Sequence, residues 1–135
     1  MEDLSALIDY LLRYRNNILQ IIEDIGPVEK DNGFGTLFLK PTNPKFTVFW
    51  INTVNEELNS IGFGGPNLGL SLDDLYSKYP EVNKAFSIHD NEYIYVFYSH
   101  DCLTHTIKIT SPFQLFENGR IIHNISIRGI EIKVL

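Results

Sequence analysis

Apolar residues recur at three- and four-residue spacing from Leu4 to Ile25, through Leu7, Leu11, Tyr14, Ile18 and Ile21. Ile8, Leu19 and Ile22 widen that stripe, and Arg13, Asn16, Gln20 and Glu23 fall on the other side. The period is that of an α-helix laying one face on a core. One amphipathic helix is therefore predicted over residues 2–25, ended by Gly26-Pro27, where Pro cannot continue the hydrogen-bond ladder. Beyond it the pattern shortens to the two-residue period of strands. Strands are predicted at Phe34–Leu39, Phe46–Val54 and Glu57–Phe63, with Lys30–Gly35 as a turn cluster. Phe46–Val54 is apolar on both faces, which argues for an interior strand. Trp50, the sole tryptophan, is expected in the core.

Ile61 to Pro80 reads as a corner: a strand end, a glycine-rich loop and a helix over residues 71–79. Ser71 with Asp74 three residues on approximates a capping box, and Asp73 and Asp74 complement the positive end of the helix dipole. From Lys84 the chain is strand-like again. Ala85–Ile88 is short. Glu92–Ser99 sets Tyr93, Tyr95 and Phe97 on one face. Leu103–Thr110 alternates with one wet face. Asn118-Gly119 signals a two-residue hairpin joining 114–117 to 120–123. The alternation of Ile121, His123, Ile125 and Ile127 shifts by one at Arg128-Gly129, which a bulge there would realign. The strands follow one another through short turns without crossover helices. The expected architecture is a single α+β domain over 1–135, with a long N-terminal helix on a mostly antiparallel sheet of about six to eight strands and a short helix near 71–79.

Composition leaves this picture intact. The chain has 135 residues, 44% of them apolar and 21% charged, enough for one core without covalent staples. The net charge is −6. An acidic surface repels phosphate backbones, so nucleic acid is not an expected partner, whereas a basic protein is. One cysteine, Cys102, rules out an internal disulfide and suits a reducing compartment. No apolar run approaches the roughly 18 residues of a membrane span. The opening residues are acidic rather than signal-like, so a cytoplasmic location is expected.

Candidate chemistry is sparse. Gly62-Phe63-Gly64-Gly65-Pro66-Asn67-Leu68-Gly69 before a helix has the outline of a phosphate cradle. It lacks the Lys that would reach the phosphates, and the acidic first turn would repel them. His100, Asp101, Cys102 and His105 can all bind zinc, but His100 to Cys102 lie in a turn and His105 on an apolar strand face, and no second cysteine pair exists. Cys102 follows Asp101, a poor setting for a nucleophilic thiolate. No catalytic residue, metal site or cofactor is assigned, and an enzyme is not expected. The face of Tyr93, Tyr95 and Phe97 suits core packing or, alternatively, a protein-binding platform, which its flanking acids and the tyrosines of the second helix would fit to a basic partner. The candidate partner-binding residues are Asp73, Asp74, Tyr76, Tyr79, Asp90, Glu92, Tyr93 and Tyr95.

A small, acidic, α+β chain with a long first helix and a Tyr- and Asn-rich meander is similar to the immunity proteins of bacterial toxin systems, including those of contact-dependent growth inhibition. The similarity spans the whole chain and transfers no binding residue. It implies a stoichiometric inhibitor that occludes the active site of a cognate toxin domain, often a basic nuclease. The alternative is a small-molecule-binding or enzymatic domain with a pocket between the first helix and the sheet, using His105, His123 and Tyr95. A homodimer built on a strand edge or on the first helix is compatible with either.

Overall fold

The structure, a computed structural model, describes residues 4–65, 68–99 and 104–135. In chain order the elements are α1 (Leu4–Tyr14), α2 (Ile18–Ile25), β1 (Val28–Asp31), β2 (Thr36–Leu39), β3 (Val48–Val54), β4 (Glu57–Gly64), β5 (Leu70–Ser71), α3 (Leu72–Lys78), β6 (Val82–Ser87), β7 (Glu92–Tyr98), β8 (His105–Ser111), β9 (Phe116–Glu117), β10 (Arg120–Ile121), β11 (Ser126–Ile127) and β12 (Gly129–Val134). The protein is α+β, as its hydrophobic pattern predicts. No helix among the described residues is long and apolar enough to cross a membrane.

The predicted first helix is two helices. Asn17 interrupts it, because its side chain accepts from Gln20 N and so caps α2. Its own N–H closes a tight turn onto Tyr14 O at 2.8 Å. Asn competes for backbone groups in this way, which makes it a better cap than interior residue. The break frees Arg15 O to accept from Leu58 N at 2.8 Å, tying the helical layer to β4.

Eight strands form one antiparallel sheet in the order β1-β2-β3-β4-β12-β8-β7-β6. The first four strands form a consecutive meander. The last strand, β12, then enters the middle and joins them to β8, β7 and β6. One face of this sheet is apolar across its width. A single row runs Leu37, Ile51, Ile61, Ile132, Ile107, Phe97 and Val82 on neighbouring strands. Its members from Ile51 to Phe97 are buried, in one cluster with Leu7 and Leu11 of α1, Ile21 of α2 and Leu72 and Leu75 of α3. The helices therefore cover this face only. The adjacent row on the reverse face runs Phe38, Trp50, Gly62, Glu131, Lys108, Val96 and Asn83. It is half-exposed and mixed in character.

Two expectations about the C-terminal region sharpen. Asn118 and Gly119 have φ of 52° and 74°, the left-handed pair of a type I′ turn, and join β9 to β10. At Arg128 there is no bulge within one ladder. Instead β11 pairs with β5 and β12 with β4, so the chain passes from a small sheet to the large one. That transfer lets Ile127 and Ile130 both be buried although they are an odd number of residues apart. The strand predicted from Leu103 begins at His105 among the described residues, with Leu103 itself outside them.

Candidate functional site

The short helix and its C-cap residue, Tyr79, carry four of the sequence candidates. Ser71 Oγ accepts from Asp74 N at 3.2 Å, and Asp74 Oδ2 accepts from Ser71 N at 3.1 Å, completing the capping box. The backbone bond from Ser71, reinforced by its hydroxyl, holds the Asp74 carboxyl below the usual carboxylate range. Asp73 is exposed, and its N–H donates to Asn124 Oδ1 at 3.2 Å. Tyr76 is half-buried against Phe116, ring centroids 5.2 Å apart, and its hydroxyl donates to Gly119 O at 3.2 Å. Tyr79 Oη lies 3.3 Å from His105 Nε2. Burial raises the Tyr79 pKa, and Asp9 adds to the shift. Burial lowers that of His105, against the opposing pull of Asp9. The Nδ1 of His105 is 2.9 Å from Thr104 Oγ1, so both ring nitrogens have partners.

The other four candidates lie on the β6–β7 hairpin. Asp90 is at its exposed tip, accepting from Ser87 Oγ at 3.2 Å. Glu92 and Tyr93 begin β7 and are half-buried, with Tyr93 4.8 Å from Phe86. Tyr95 does not belong to a binding surface. It is fully buried, its ring packs on Phe116 at 5.3 Å, and its hydroxyl accepts from Leu115 N at 2.7 Å. The face of β7 that holds Tyr95 and Phe97 is the core face, because the helices cover that side. The candidates thus fall into two groups, on α3 and on the hairpin, and the buried rings of Tyr95 and Phe116 lie beneath them.

Two residues that the sequence reading did not select stand beside the second group. Phe86 is 47% exposed and Ile88 is 88% exposed. The strand expected to run to Ile88 ends at Ser87, which leaves Ile88 in the turn.

The predicted space between the first helix and the sheet is occupied by buried side chains, among them Leu7, Leu11, Ile51 and Ile61. The polar groups assigned to it are dispersed or engaged. Tyr95 and His105 have the partners above, while His123 is exposed and stacks on Phe113 at 5.0 Å. A concavity lies elsewhere, a cleft of about 430 Å³ on the uncovered face, lined by Val48, Trp50, Gly62, Lys108, Arg128 and Glu131. Trp50 is on this face, not in the core. Its indole lies over Gly62, where a Cβ would come within 2.1 Å of the ring. Glycine opposite an aromatic residue leaves the backbone as a floor for the ring. Lys108 and Glu131 pair at 2.8 Å along the same row, a half-exposed bridge that contributes less than about 1 kcal/mol.

The glycine loop is a structural crossing. Gly65 N donates to Arg128 O at 3.0 Å, and a Cβ at Gly65 would stand 2.1 Å from Lys45 O. Pro66 and Asn67 are outside the described residues, as are His100, Asp101 and Cys102. No group of three His, Cys, Asp or Glu converges among the described residues. The chain matches no protein-family model, no curated protein and no solved structure.

Proposed function

We propose that this chain is a protein-binding module of the immunity type: an acidic, cytoplasmic bacterial inhibitor that occludes the active site of a basic, nuclease-like toxin domain. The observation that carries this reading is the exposure of Asp73 and Asp90, with half-buried Glu92, Tyr76 and Tyr93 nearby on the same two elements, in a chain of net charge −6. Acids beside partly covered aromatic rings supply steering charge and contact area together. The test is titration of the chain against the C-terminal domain of the protein encoded immediately upstream, at low and at high salt. A one-to-one complex that weakens as salt rises is expected, and Asp73→Lys with Asp90→Lys should weaken it at least about tenfold, because rim charges act through long-range attraction. No complex, or one indifferent to salt and to both substitutions, overturns the proposal.

A second reading rests on the cleft beside Trp50, whose ring, floor and charged pair would suit a small planar ligand. Binding there would change the emission of the only tryptophan. A small-molecule library that leaves this emission unchanged removes the reading.

A further inference from the structure

The sheet has two edges, β1 and β6. An edge strand presents unpaired backbone groups to any strand that can reach it, and proteins protect such edges with charges and bulges. β1 is protected in both ways. Its sequence is Val-Glu-Lys-Asp, and its register with β2 shifts between Val28 and Lys30. β6 has one charge and no bulge. It reads Val-Asn-Lys-Ala-Phe-Ser, with Lys84 its only charge, and its six residues pair with β7 without a shift. Apart from that ladder, the backbone of residues 82–87 makes no hydrogen bond among the described residues. Phe86 and Ile88 extend the edge as exposed apolar surface.

We infer that β6 pairs antiparallel with β6 of a second copy of this chain, centred on Ala85. The sequence of the edge selects this occupant. Directly opposed residues of an antiparallel pair share a face, so a two-fold pairing that keeps both helical layers on one side can centre only on a residue. Centring on Lys84 would set two ammonium groups against each other, a destabilising like-charge pair. Moving the centre by one residue to Ala85 removes the conflict. Ala85 then meets Ala85, the two smallest side chains of the strand. Asn83 meets Ser87, and each Lys84 meets Phe86 of the second copy. Lys84 Nζ already lies 5.7 Å from the Phe116 ring on one side, and Phe86 of the second copy brings a second aromatic face to the other. The same register brings exposed Ile88 toward half-buried Val82. The two eight-stranded sheets become one. This inference concerns copies of the chain and stands whether or not the partner proposed above exists.

The test uses the full chain. Sedimentation equilibrium is expected to show a dimer whose fraction rises with concentration. Ala85→Lys, which gives β6 the kind of charge that protects β1, should lower the association constant at least about tenfold with the far-UV circular dichroism unchanged, because it opposes two cations at the centre of the pairing. In a Cys102→Ser background, Ala85→Cys should cross-link with itself under mild oxidation, since opposed Cβ atoms approach to about 4.5 Å, within reach of a disulfide. If Ala85→Lys fails to fold, the cross-link still decides the question. A chain that stays monomeric at every concentration, or a dimer unaffected by Ala85→Lys, overturns the inference. So does cross-linking through Lys84→Cys in place of Ala85→Cys.

Discussion

The two margins of this sheet show how one fold can finish the same architectural problem in opposite ways. At the N-terminal margin, β1 is exposed along its whole length, carries three consecutive charges and is bulged against β2. Little apolar surface depends on it. At the opposite margin, β6 is regular and sparsely charged, and the strand behind it is held from below by a deep aromatic cluster. Phe116, delivered by the β9–β10 hairpin, touches Tyr76 of α3 together with Tyr95 and Phe97 of β7, at centroid distances of 5.2, 5.3 and 6.4 Å. One margin is charged and bulged. The other is well packed beneath and open along its edge. Anchoring of the strand behind an edge and protection of the edge itself are thus independent, because β7 is held from beneath while β6 stays exposed.

The largest test of that contrast is Phe116→Ala. Truncating a fully buried aromatic that three others pack against should cost about 3–5 kcal/mol in denaturant unfolding, through lost transfer energy and the cavity left behind. A loss below about 1 kcal/mol would mean that the β6 margin is not anchored from beneath. Tyr95→Phe keeps the ring and removes the acceptor for Leu115 N, leaving a buried N–H unpaired, at an expected cost of about 1–3 kcal/mol. An unchanged midpoint would show that water satisfies the group instead.

The third test is a pH slope. Burial holds the folded pKa of His105 below its unfolded value. Protons therefore bind the unfolded chain more readily, and this contribution to stability is complete above about pH 6.5 and is lost as pH falls toward the folded value. Replacing His105 with Gln should flatten that segment of the stability profile, while Asp9→Asn, which removes the opposing charge, should steepen it. Identical profiles for the parent and His105→Gln would refute the assignment.

The smallest effect belongs to β1. Glu29→Ala with Lys30→Ala should change stability by no more than about 0.5 kcal/mol, because exposed charges away from caps and cores contribute little. The informative readout is association. If charge is what protects this margin, the double variant will self-associate more than the parent, and no change would assign the protection to the bulge alone.

Much of the architecture was legible along the chain because it rests on local rules. The alternation at 105–110 predicts β8, although on the face expected to be wet Thr106 is buried and only Thr110 is exposed. Ser71 and Asp74 predict the cap of α3, and Asn118-Gly119 predicts the tight hairpin, because each depends on residues within three positions of one another. The break at Asn55-Glu56 between β3 and β4 falls where the strand bounds leave it, but its left-handed conformation was not signalled. Both residues have positive φ, 53° and 66°, and the glutamate there accepts a strained conformation that glycine would adopt freely. The break at Asn17 was hidden because the apolar stripe continues through it with unchanged period, and periodicity cannot distinguish one helix from two in series. The candidate site was legible only in part. The acids and tyrosines could be picked by type, but the face of β7 that the helices cover could not, and Tyr95 was lost from the surface for that reason.

The sequence by itself determined the class of the fold, the period of nearly every element and the acidic character of its surface, because these follow from side-chain chemistry and short-range geometry. Tertiary structure alone decided that β12 joins the two halves of the sheet and that the helices cover one face only. It also decided that Trp50 lies over Gly62 on the other face and that β6, rather than a covered strand, is left at the edge. Each of these depends on which distant segments meet, and a strand with two apolar faces carries no mark of which one the rest of the chain will bury.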